Sequence, residues 1–147
     1  MLISHIKTFN ELSTEELYAL LRLRSEVFVV EQNCVYQDID GKDHKALHIL
    51  GYNDNQLVAY TRIFKSGDYF ENASIGRVVV AQQQRQHKFG YAIMEASINA
   101  IKLHYNETKI KISAQTYLKR FYNTLGFKEI GEEYLEDDIP HIAMVKY

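Results

Sequence analysis

The sequence predicts a single α/β (α+β) domain with a mixed central sheet and flanking helices, on three observations. Short apolar runs of period two are interspersed with longer stretches of helical period, in the order β, α, long loop, β, β, β, α, β, α, β, β. Pro140 is the only proline and the 7 glycines are scattered, so no linker or repeat divides residues 1–147. At 77–98 the chain reads RVVVAQQQRQHKFGYAIMEASI, where a run of valines passes through a polar, partly cationic turn into a helix. With the alternating KIKISA that follows, this stretch forms one clear βαβ crossover after a largely antiparallel first half.

Taken in order, LISHIKTF (2–9) reads as a first strand. Ser13 followed by Glu16 is a capping-box pattern that opens a helix through about Val29, with Leu17, Leu20, Leu21, Val27 and Phe28 on one face. EQNCVYQDIDGKDHK (31–45) keeps no period and reads as a long ordered loop, the kind of segment that carries function. ALHILGYN and LVAYTRIF, separated by Asp54, Asn55 and Gln56, form a hairpin, and SIGRVVVA adds a third strand. Lys88 to Tyr105 repeats apolar residues at helical spacing. TYLKRFYNTLGF is a short helix with Thr116 as N-cap and Gly126 as its stop. KEIGEEYL and PHIAMVKY close the sheet, with an acidic turn between them.

Composition narrows the function classes. A hydrophobic share of 46% and a charged share of 24% suit a soluble globular protein, and 147 residues bury a sizeable core without disulfide or metal. A formal net charge of -2 offers no broad basic field for nucleic acid. The single Cys34 has no intramolecular partner, and the start MLISHIKTFNEL lacks a signal-peptide pattern, so a reducing, cytoplasmic setting is expected, with no membrane association. DIDGKD lacks the glycine position and terminal glutamate of an EF-hand loop, and His44 and His48 fall where a strand begins, so no metal site is expected. Cys34 has the chemistry of an acyl-carrying nucleophile but no evident activating partner in the sequence.

The polar turn after the valines suits phosphate. N–H groups at a helix start lack intrahelical partners and carry partial positive charge, Gly90 permits close approach, and Arg85 and Lys88 add cations. Neither the three-glycine dinucleotide fingerprint nor a P-loop is present, so a nucleotide would be held another way.

VVVAQQQRQHKFGYAIME followed by FYNTLGF resembles the GNAT N-acetyltransferase superfamily, whose pyrophosphate loop reads Q/R-x-x-G-x-G/A. In that register Arg85 is first, Gly90 last, and Lys88 stands where glycine is usual. FVVEQNCVYQDIDGKD, HILG, IGRV, FYNTLGF and IPHIAM extend the likeness to the ElaA-type branch of the superfamily, from Phe28 to Met144. The resemblance implies the acyl-CoA N-acyltransferase fold and transfer of acetyl from acetyl-CoA to a primary amine of a small molecule or peptide, by direct attack within a ternary complex. It places the pantetheine arm on the bulged strand at Val78, Val79 and Val80, and the pyrophosphate on the backbone of Arg85, Gln86, His87, Lys88, Phe89, Gly90 and Tyr91. It also implies a CoA contact from Gln115 and, at the head of Y-x-x-x-G-F, a general acid, Tyr122.

For the base that takes the amine proton the candidates are Glu31, Asp40, His48 and His141, with Glu31 at the helix end and His141 at the head of the closing strand, and an ordered water is the alternative to a side chain. Asp38, Asp40 and Asp43, with Glu132, Glu133, Glu136, Asp137 and Asp138, would attract a cationic amine if they faced one cleft. A domain of the same fold that binds acyl-CoA as a sensor, without turnover, is the alternative. The resemblance is compatible with a monomer and with a homodimer alike.

Overall fold

The computed structural model describes all residues 1–147. One seven-stranded sheet, in the order β1-β2-β3-β4-β5-β7-β6, runs through the molecule. Strands β1 (Ile3–Thr8), β2 (Leu47–Asn53), β3 (Gln56–Phe64) and β4 (Ala73–Val80) form an antiparallel meander. Strands β5 (Ile110–Gln115), β6 (Lys128–Glu136) and β7 (Ile139–Lys146) form a second antiparallel group in which β7 lies between the other two. The one parallel pairing, β4 with β5, joins the groups through the expected crossover.

Helix α1 (Thr14–Arg24) starts as the sequence indicates: the Ser13 hydroxyl accepts from the Glu16 N–H at 3.0 Å, and the Glu16 carboxylate accepts from the Ser13 N–H at 2.8 Å. It then widens into a π-helical segment, Ser25–Glu31, which carries the chain two residues past the expected end. The widening matters for function, because it sets Phe28, Glu31 and Gln32 against the centre of the sheet. Helix α2 (Phe89–Ala100), prolonged by a π-helical segment Ile101–Tyr105, covers the other face. Ile93, Met94 and Ile101 there share one buried cluster with Ile49, Ile63, Ile112 and Met144, while Leu20, Leu23 and Phe28 under α1 share another with Leu50, Tyr60 and Val79. Strands β2 to β4 thus serve two cores, which is why they read as near-continuous apolar runs.

Local details differ from expectation where turn chemistry decides. Gln56 belongs to β3, and the hairpin turn is Asp54-Asn55 alone, with φ of 50° and 62°. Asp137-Asp138 repeats the same pair of left-handed residues between β6 and β7. Helix α3 (Lys119–Thr124) is preceded by a 3-10 turn, Thr116–Leu118, so Thr116 is not the N-cap; its hydroxyl is buried without a partner. Gly126 does end the helix, at φ 94°.

Candidate active site

The sheet is split. Strands β4 and β5 pair only through Ala73 with Ile110 and Ser74 with Lys111, then diverge. A bulge accentuates the divergence: Tyr60 faces Val79 and Arg62 faces Gly76, so Arg77 and Val78 together oppose Thr61, with Arg77 at φ 50°. Beyond Ser74 the β4 edge that faces β5 therefore has no strand partner. At its end the Val80 carbonyl accepts instead from the Arg85 guanidinium, at 3.1 and 3.3 Å.

On the α2 side the split opens into a cavity of about 410 Å³. Val78, Val79, Val80, Arg85, Lys88, Gly90, Tyr91, Gln115 and Tyr122 line it, which gathers most of the residues the resemblance assigned to the cofactor. Gln86 and His87 are exposed and bonded to each other at 3.3 Å, and the Phe89 side chain is buried in the core, so these three do not line the cavity. Gly90 has a packing reason as well: a Cβ there would lie 3.3 Å from the Phe121 ring. Lys88, at the position where the family's loop has glycine, takes a left-handed conformation at φ 59°. The backbone thus keeps the shape a glycine would give it, at a cost of about 1 kcal/mol.

Two polar bridges cross this cavity. Glu31 pairs with Arg85 through both carboxylate oxygens, one contact at 2.8 Å. Gln32 and Gln115 exchange hydrogen bonds at 3.1 and 3.3 Å, tying the end of the α1 segment to β5. Gln32 was not singled out in the sequence, because nothing in a lone loop-start glutamine signals that it meets Gln115.

Gln115, Gln32, Val78, Leu118 and Tyr122 also line a second cavity of about 120 Å³, so these side chains stand between the two spaces and border both. Tyr122 is 5% exposed at their junction, and burial pushes its phenol well above its ordinary value, leaving a neutral O–H donor at every working pH. Across from it stands His141, itself 6% exposed. Its Nδ1 lies 2.7 Å from the Ile139 carbonyl, which can only accept, so Nδ1 carries the proton and Nε2 keeps a free lone pair. Glu136 Oε2 lies 3.6 Å from that Nε2. Tyr36, Tyr69 and Phe70 supply an apolar wall, and they too escaped the sequence reading, since exposed-looking loop aromatics carry no period.

The loop after α1 corrects a sequence expectation. Asp38, Asp40 and Asp43 do not form a field for a cationic substrate; three arginines hold them. Arg24, fully buried, binds Asp38 at 2.7 Å and Asp43 at 2.8 Å. Arg62 binds Asp40 at 2.5 Å and Asp43 at 2.9 Å. Arg77 lies 2.8 Å from Asp38 and 3.4 Å from Asp40. Burial alone would raise the Asp40 and Asp43 carboxyls, but the charges and hydrogen bonds of these arginines outweigh it and hold both well below the usual carboxylate range. Asp40 is thereby spent as a base. So is His48, whose Nδ1 accepts from Tyr60 at 2.6 Å and whose Nε2–H donates to the Asp43 carbonyl at 2.9 Å; burial lowers its pKa. No group of three or more His, Cys, Asp or Glu is placed to hold a metal ion, and no helix is long and apolar enough to cross a membrane.

A split sheet with a helix start at its mouth and a buried tyrosine at its centre is the architecture of the acyl-CoA N-acyltransferases. An acyl-CoA N-acyltransferase of Pseudomonas aeruginosa superposes with a TM-score of 0.93 at 40% identity, covering 100% of both chains. The ElaA structure of Escherichia coli superposes at 0.92 with 44% identity, again over 100% of both. In sequence, Protein ElaA of Escherichia coli strain K12 is 47% identical over 139 residues, covering 93% of this chain and 91% of its own. The acetyltransferase (GNAT) domain model matches residues 9–147, and the chain belongs to that family.

Proposed function

We propose that the protein is an acetyl-CoA-dependent N-acetyltransferase that acts on a primary amine within a ternary complex. The observation that carries this reading is that Tyr122 borders both cavities, together with Gln32, Val78 and Gln115. The larger space fits an extended thioester arm because the open edge of β4 offers backbone donors and acceptors that no strand occupies. Phosphate would be held by the N–H groups that open α2 and by Lys88, since Arg85 is neutralised by Glu31.

Transfer forms an N–C bond and breaks a C–S bond, moving the acetyl group from sulfur to nitrogen. His141 Nε2, free and facing the smaller cavity, takes the proton lost by the attacking amine. A backbone N–H of the bulged segment steadies the carbonyl oxygen as it gains charge. Tyr122 donates its proton to the departing sulfur, giving the acetamide and free thiol. Glu31, with both oxygens on Arg85 at the cofactor end, is poorly placed for the base role.

Calorimetric titration of acetyl-CoA into folded wild type and Lys88→Glu, followed by turnover of Tyr122→Phe, tests the scheme. We expect binding that weakens in Lys88→Glu, and a loss of about 10²-fold in turnover for Tyr122→Phe with acetyl-CoA affinity kept within about twofold. Absence of binding by the wild type would remove the reading. Unchanged turnover at saturation would remove Tyr122 from it, and binding with no transfer to any amine would favour a sensor.

A further inference from the structure

We propose that the acceptor is an alkyl or aralkyl amine that carries no carboxylate beside its nucleophilic nitrogen, and that Glu136 and Asp137 impose this choice. The inference rests on the N-acetyltransferase reading and concerns its acceptor cavity.

The charges that line the cavity are unevenly matched. Its one arginine, Arg77, is already committed to Asp38, at 2.8 Å from both a carboxylate oxygen and the carbonyl, and to Asp40 at 3.4 Å. Lys42 and Lys111 stand over the rings of Tyr69 and Phe70, at 4.7 and 5.0 Å, and neither lines the space. The carboxylates have no such commitments. Glu136 is half exposed and accepts only a 3.3 Å hydrogen bond from Ser113 besides its 3.6 Å approach to His141. Asp137 sits in an exposed turn and takes part in no ion pair.

His141, although only 6% exposed, lines the cavity with a ring whose Nε2 makes no hydrogen bond and has Glu136 as its charged neighbour at 3.6 Å. An ammonium group approaching that nitrogen meets Glu136 first. A carboxylate on the adjacent carbon would meet Glu136 and Asp137 with no free cation to receive it. The aromatic side chains Phe28, Tyr36 and Phe70 accept an apolar body, and a volume of about 120 Å³ keeps that body small.

The test uses two pairs of amines that differ only by the carboxylate, butylamine with norvaline and phenethylamine with phenylalanine. Thiol release from acetyl-CoA is followed in wild type, in Asp137→Asn, and in the Glu136→Gln/Asp137→Asn double variant. We expect kcat/KM at least tenfold higher for the plain amine of each pair, and a gap below threefold in the double variant. Where loss of Glu136 also weakens catalysis through His141, Asp137→Asn alone, on its exposed turn, is expected to narrow the gap at least twofold. Equal or reversed preference in the wild type overturns the proposal, as does a gap that neither variant narrows. Tight binding of acetyl-CoA with transfer to none of the four amines removes the transferase reading itself, and this inference with it.

Discussion

Two acidic stretches flank the smaller cavity and look alike in sequence, yet the structure uses them in opposite ways. In the loop after α1, Asp38 and Asp43 are buried and Asp40 partly so, and each bonds at least one arginine drawn from α1, β3 or β4. Along β6 and its turn, Glu132, Glu133, Asp137 and Asp138 are exposed and form no ion pair, and Glu136 has only its histidine neighbour. The first stretch is locked into ion pairs with three arginines. The second leaves its charge facing solvent. Which role an acid plays depends on whether arginines from distant strands reach it, and local composition does not encode that.

The contrast can be broken most directly at Arg24. Arg24→Met leaves Asp38 to Arg77 and Asp43 to Arg62 alone in a buried network, and a loss of about 3 kcal/mol is expected in urea unfolding. A loss near zero would show that the loop network does not hold the fold.

A smaller effect is expected from acid. Asp40 and Asp43 are held below their ordinary range, and His48 is lowered by burial. All three bind protons more readily when unfolded, so each adds stability above its unfolded pKa and loses it as pH falls toward the folded one. The urea midpoint is therefore expected to stay level above about pH 7, to fall through the His48 window below about 6.5, and to fall further below about 4. A midpoint that stays level from pH 7 to pH 3 contradicts the network. The smallest effect belongs to the exposed strand, where Glu132→Gln with Glu133→Gln is expected to leave the midpoint at neutral pH unchanged, and a clear drop would mean that these acids too are structural.

Much of the fold was legible because it rests on short-range physics. The Ser13 and Glu16 cap, the period-two strands and the stop at Gly126 are each decided within a few residues. The family itself was legible through several blocks spread from Phe28 to Met144. What could not be read was set by partners far apart in the chain: Gln32 with Gln115, Glu31 with Arg85, and the arginine cage around the loop aspartates. Thr116 shows the same limit at short range, because it lies in a 3-10 turn that precedes the helix it was expected to cap.

The seam between β4 and β5 also bears on how the chain assembles. Every other strand contact is antiparallel, and β2 with β3, β3 with β4 and β6 with β7 join neighbours in sequence through short connections, pairings that form quickly. The crossover contact closes a long stretch of chain and secures only two residue pairs in return. The two β-groups are therefore held together more by the shared cluster of Ile93, Met94, Ile112 and Met144 than by strand pairing. A cleft formed this way needs no later step to open it, since the halves are never zipped shut.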